Sequence, residues 1–112
     1  MFGFKHAIQG LRQTLKTERN FKIHLIAFII VVGLGVLLDI SLADWINLLL
    51  ISGLVFALEI VNTAIEKLCD LYSTEQNKKI KDIKDISAGA VLTIALFAVV
   101  IGIFIFLPYL KT

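Results

Sequence analysis

The chain has 112 residues, of which 58% are hydrophobic before its seven glycines are counted and only 18% are charged. Soluble domains carry roughly 45–50% apolar residues with glycine included, so an ordinary water-soluble globule is excluded, and a single membrane domain spanning residues 1–112 is expected. A net charge of +2, from 11 Lys+Arg against 9 Asp+Glu, comes without a basic stripe carrying interleaved aromatics and sets nucleic acid aside.

The first expected element is a helix over about 3–17. Phe4, Ala7, Ile8, Leu11 and Leu15 recur on one helical face, while Lys5, Gln9, Arg12, Gln13 and Lys16 take the others. That is the pattern of an amphipathic helix lying in a membrane interface. Its charge density is too high for the apolar core of a secretory signal, so the amino terminus is expected to be retained. The first spanning helix is expected over about 21–38: Ile23 to Leu38 carries no formal charge, and Phe21 with a snorkelling Lys22 extends it toward the roughly 17–25 residues a crossing needs.

The second span, about 45–65, is apolar apart from Asn47, Ser52, Glu59, Asn62 and Thr63, with Trp45 as an interfacial anchor. Residues 72–77 read as loop. The third span, about 86–108, lies in a charge-free run bounded by Pro108, Tyr109 and Lys111. The expected fold is therefore all-α and integral to the membrane, with three transmembrane helices plus an N-terminal amphipathic interfacial helix. Cys69 stands alone, which leaves no internal disulfide and no Cys-based metal site, and reads as core packing.

Orientation follows from the basic residues. Lys5, Arg12, Lys16, Arg19 and Lys22 precede the first span, and Lys67, Lys78, Lys79, Lys81 and Lys84 lie between the second and third. The connection over 39–44 has none, and the tail has only Lys111. The positive-inside rule then predicts a multi-pass plasma-membrane protein with a cytoplasmic amino terminus and an extracytoplasmic carboxyl terminus.

Four polar residues of the second span share one face. Glu59, Asn62, Glu66 and Asp70 are spaced three, four and four apart, which at 100° per residue confines them to an arc of about 80°. Glu59 lies about 21 Å along the helix from Trp45, roughly 9 Å inside a hydrocarbon core about 30 Å thick. A charged residue at mid-bilayer costs about 2.5–3.5 kcal/mol on insertion scales, less near the interface, and usually faces a partner or a pathway. Pairing with a neighbouring lysine is one of two open readings for Asp70 beside Lys67, but Glu59 and Asn62 are too deep to be a solvated helix end. Three helices are few to enclose such a stripe, so a homo-oligomer is expected to cover it.

Clustered carboxylates with an amide suit a divalent cation, and Mg²⁺ typically shares its oxygen ligands with substrate phosphates. Phosphoryl transfer is the chemistry this points to. Glu18, before the first span, and Lys84 with Asp85, before the third, belong at the same depth as Glu66 and Asp70, as a further ligand, a phosphate counter-charge and a nucleotide contact. There is no Walker-type or kinase glycine loop, because Gly33 and Gly35 lie inside an apolar span. His6, His24 and Cys69 share no catalytic or zinc spacing.

The run Glu59-Ile60-Val61-Asn62-Thr63-Ala64-Ile65-Glu66-Lys67-Leu68-Cys69-Asp70, followed by Lys84-Asp85-Ile86-Ser87-Ala88-Gly89-Ala90-Val91, resembles the prokaryotic diacylglycerol kinase family over nearly the whole chain. Gly10-Leu11, Glu18-Arg19-Asn20-Phe21 and Ile23-His24 are most similar to its Gram-positive branch, whose members phosphorylate undecaprenol. The resemblance implies a homotrimer with sites at protomer interfaces, taking MgATP from the cytoplasm and a lipid alcohol from the membrane. It implies Glu59 as general base, Glu18 and Glu66 as metal holders that also contact ATP, and Asn62 and Asp70 in support. His6, Glu75, Asn77, Lys84 and Asp85 would contact the nucleotide. The chain departs from the family in reading Glu75-Gln76-Asn77 where Glu-Tyr-His is usual, and His6 where many members carry Tyr.

Expected function is transfer of the γ-phosphoryl group of ATP to undecaprenol, with diacylglycerol as the alternative acceptor. A small proton-coupled transporter is the competing class, since a buried Glu often relays protons; it predicts one acid near the midplane and no nucleotide requirement. A purely structural oligomer would need no Glu59-Asn62-Glu66 spacing.

Overall fold

A computed structural model describes residues 2–72 and 77–111, without the side chain of Phe2. Four helices make up the described residues, with no strand among them: α1 (Phe2–Thr17), α2 (Arg19–Leu38), α3 (Leu42–Tyr72) and α4 (Lys78–Leu110). Of these, α2, α3 and α4 are long and apolar enough to cross a membrane. Helix α3 continues past the apolar stretch to Tyr72, and α4 begins at Lys78, well before Ile86. The two therefore carry Glu66, Asp70 and Lys84 on rigid helix beyond the hydrocarbon run, so a polar site can be held without loops.

The turn between α2 and α3 is built from local chemistry. Asp39 adopts the left-handed conformation with φ 52° and ψ 57°, which Asp tolerates better than most residues. The Asp39 and Ile40 amides donate to the carbonyls of Val36 and Gly35 at 3.2 Å each, satisfying the last turn of α2 as a Schellman motif does. Ser41 then caps α3, its Oγ accepting from the Asp44 amide at 3.1 Å.

The hydrophobic core sits at this end. Ile40, Leu48, Ile105 and Phe106 are buried together, with Val31, Leu34, Leu38, Trp45, Ile101 and Tyr109 packed around them. The ring of Trp45 lies over Gly35, close enough that a Cβ there would stand 2.8 Å from Trp45 Cη2. The Tyr109 hydroxyl ties α4 to the turn, donating to Asp44 Oδ2 at 2.6 Å and accepting from the Ser41 amide at 2.9 Å.

Most other large apolar side chains point outward, including Ile26, Ile29 and Ile30 on α2 and Leu92, Leu96, Phe97 and Phe104 on α4. Such a surface suits lipid. On α1, Phe4, Ile8, Leu11 and Leu15 form an exposed apolar row, while Thr14 on another side is buried. Cys69 is buried, in keeping with packing.

Candidate functional site: a buried carboxylate behind the head of an apolar groove

Helices α2 and α3 meet through aromatic rings. Phe21 and Phe28 of α2 both pack against Phe56 of α3, with ring centroids 5.4 Å apart in each pair. His24 lies between those two phenylalanines on the same helical face, and Glu59 is one turn beyond Phe56 on α3. The clamp therefore brings the imidazole to the carboxylate, with His24 Nε2 3.2 Å from Glu59 Oε2. Glu59 is 1% exposed. Its Oε2 accepts no hydrogen bond of good geometry, so the imidazole approaches it without completing one.

One turn further along α3, Asn62 is buried and its Oδ1 accepts from Ser87 Oγ of α4 at 2.5 Å. Four threonine hydroxyls behave differently: those of Thr14, Thr17, Thr63 and Thr93 each bond back to the carbonyl four residues earlier on their own helix. Ser87 reaches across instead. With its oxygen engaged, the Asn62 amide presents its two N–H donors to whatever lies alongside.

The remaining acids are graded by depth. Glu66 and Glu18 are half-buried, Glu18 at the junction of α1 and α2, and both are near enough for their charges to act on Glu59. Asp70 is exposed and pairs with Lys84 Nζ at 2.6 Å rather than with Lys67. That hydrogen bond holds the Lys84 ammonium above its ordinary pKa. Asp85 pairs with Lys81 at 2.6 Å, one turn back on α4, and raises that lysine in the same way. Asn77 caps α4, its Oδ1 accepting from the Lys79 amide at 2.8 Å. His6 is on the exposed part of α1, and Glu75 lies outside the described residues.

One expectation changes in part. The stripe was expected to need a neighbouring protomer for cover, but one chain already buries Glu59 and Asn62, while Glu66 stays half-buried and Asp70 exposed. His24, which shares no catalytic or zinc spacing with His6 or Cys69, stands against Glu59. The one signal available was that both are ionisable residues inside charge-poor spans, at the end where the basic residues gather.

Among the described residues no three His, Cys, Asp or Glu side chains converge as a closed metal cage. A donor set of one or two carboxylates is nonetheless what Mg²⁺ uses when phosphates complete its shell, and Glu18 and Glu66 match that chemistry.

From His24 an apolar groove of about 510 Å³ opens between α2 and α4 over the face of α3. Ala27, Phe28 and Val31 line one wall and Ala95 to Leu110 the other, with Val55 and Phe56 near its head; Ser52 is its one other polar lining residue besides His24. Ala95 to Leu110 spans about 22 Å of helix, most of a hydrocarbon core. The groove can hold a hydrocarbon chain and present a polar end group beside His24, behind which Glu59 is buried.

A family model described as prokaryotic diacylglycerol kinase matches residues 5–106. Over 107 residues the chain is 41% identical to a Bacillus subtilis (strain 168) protein named undecaprenol kinase, covering 96% of this chain and 87% of that one. Over 109 residues it is 36% identical to a Synechocystis sp. protein named diacylglycerol kinase, covering 96% of this chain and 62% of that one.

Proposed function

The chain belongs to the prokaryotic diacylglycerol kinase family and is a membrane lipid kinase; within that family we propose that it transfers the γ-phosphoryl group of ATP to the hydroxyl of undecaprenol. The observation that carries this is the apolar groove that ends at His24, whose ring stands 3.2 Å from the buried Glu59. Undecaprenol is a lone hydroxyl on a hydrocarbon chain, and the lining supplies hydrocarbon surface with only His24 and Ser52 as polar groups. Diacylglycerol would bring two ester groups into the same channel with little there to bond them. The higher identity and fuller coverage of the relative named undecaprenol kinase point the same way.

In this reading the acceptor hydroxyl sits against Glu59. The carboxylate takes the hydroxyl proton as the oxygen–phosphorus bond forms and the bond to the β-phosphate oxygen breaks, releasing ADP. Asn62, oriented by Ser87, donates toward the negative charge that gathers there. Glu18 and Glu66 would hold Mg²⁺, which when bound neutralises the phosphates. Lys84 would leave Asp70 for a phosphate oxygen, and Asp85, Asn77, Glu75 and His6 would complete the nucleotide contacts. We place α1 in the cytoplasmic interface on its apolar row, both basic flanks in the cytoplasm, the carboxyl terminus outside the plasma membrane, and the working form as a homotrimer.

The test is transfer of labelled γ-phosphate from MgATP to undecaprenol and, in parallel, to diacylglycerol by detergent-purified protein, with EDTA and Glu59→Gln controls. Strong preference for undecaprenol is expected. Equal or better use of diacylglycerol, the activity named for the Synechocystis relative, would make the chain a general lipid kinase. Transfer to neither by folded protein would refute both and favour the transporter class.

A further inference from the structure

We propose that His24 is a positioning residue for Glu59: its Nε2–H holds Oε2, so that the other carboxylate oxygen is the one turned to the acceptor hydroxyl. The inference rests on the lipid kinase reading and adds to it a residue that the stripe on α3 does not contain.

Three observations converge. Glu59 is 1% exposed, and among the described residues His24 is the one basic side chain within 4.0 Å of it, at 3.2 Å. A buried carboxylate with an oxygen that accepts no hydrogen bond is costly, and a small turn of the imidazole would supply the missing donor. The register of α2 on α3 that sets this contact is held by Phe21 and Phe28, which pack on Phe56 to either side of it. His24 also lines the head of the groove, so a lipid hydroxyl arriving there meets the ring that stands against Glu59.

A free carboxylate rotates about its last torsion, and either oxygen can then face the substrate or turn away. Pinning one oxygen removes that freedom before the reaction begins, and misplacement of a reacting group by about 1 Å can cost on the order of 100-fold. The other charges acting on Glu59 are Glu18 and Glu66, both acids, and neither can donate to it when ionised. Lys84, on α4, is engaged with Asp70.

The experiment compares the parent with His24→Ala and His24→Gln in the labelled-phosphate assay, measuring kcat and KM separately for ATP and for undecaprenol. Glutamine places an N–H donor at nearly the reach of imidazole Nε2 but does not titrate. Expected are a fall of about 10- to 100-fold in kcat for His24→Ala, an unchanged KM for ATP that also certifies the variant as folded, and recovery to within about threefold of the parent in His24→Gln. In a Glu59→Gln background, His24→Ala should slow the residual rate no further. An active parent with an unaffected His24→Ala would overturn the inference, as would a glutamine variant as slow as alanine or a loss confined to KM for ATP. A parent inactive on both lipid alcohols would instead fail the kinase reading on which the inference stands.

Discussion

Replacing Ser87 with alanine removes one hydroxyl, and the structure says what that oxygen does. It leaves Asn62 Oδ1, in a side chain 8% exposed, without its donor. An orphaned buried acceptor costs about 1–3 kcal/mol in water-soluble proteins, whereas interhelical hydrogen bonds in membranes average about 0.6 and reach about 1.7 kcal/mol. Alanine regains a few tenths through its better helix propensity. The net expectation is a loss of about 0.5–2 kcal/mol. The same bond holds the amide in one orientation, so its loss should also lower kcat, tenfold for each 1.36 kcal/mol of transition-state stabilisation the amide no longer gives. Thr63→Val is the internal control, because that hydroxyl bonds only the carbonyl of Glu59 on its own helix, at 3.0 Å. Reversible unfolding in mixed detergent–SDS micelles, followed by helicity, measures the first effect, and lipid phosphorylation the second. A Ser87→Ala variant no less stable and no slower than Thr63→Val would refute the reasoning.

Four further outcomes are expected. Glu59→Gln should reduce kcat by about 10²- to 10⁴-fold with ATP affinity little changed, and clearly weakened nucleotide binding would reassign Glu59 to the metal. Glu66→Gln should raise the Mg²⁺ concentration needed for half-maximal rate, and EDTA should stop the parent reversibly; a Mg²⁺ titration identical to the parent's would remove Glu66 from the metal site. Tyr109→Phe loses the link from α4 to Asp44 and Ser41, which should cost about 1–3 kcal/mol while kcat stays at the parent level, since the site lies toward the opposite end of the helices. Gly35→Ala sets a Cβ 2.8 Å from Trp45 Cη2, an overpacking of about 1–3 kcal/mol, and a thermal midpoint no lower than the parent's would show that the ring moves aside freely.

The carboxylate pattern was readable because helical period alone sets which residues share a face: Glu59, Asn62, Glu66 and Asp70 need no tertiary information to line up. The three long apolar helices followed equally from charge-free length, since a helix that crosses a bilayer satisfies its own backbone whatever its neighbours do. The resemblance to the lipid kinases rests on the same α3 run and on the residues from Lys84 to Val91.

The partners of that stripe were decided elsewhere. Which residue of α2 meets Glu59 depends on how far α2 slides along α3, and that register is set by Phe21 and Phe28 closing on Phe56. Asp70 pairs with Lys84 and not with Lys67, its neighbour in sequence, for a similar reason, because α4 runs alongside and offers its ammonium at 2.6 Å. The groove has no sequence signature either, being the space α2 and α4 leave between them over α3. Periodicity along one helix is written in the order of residues, but contacts between helices depend on packing shapes whose fit no single segment specifies.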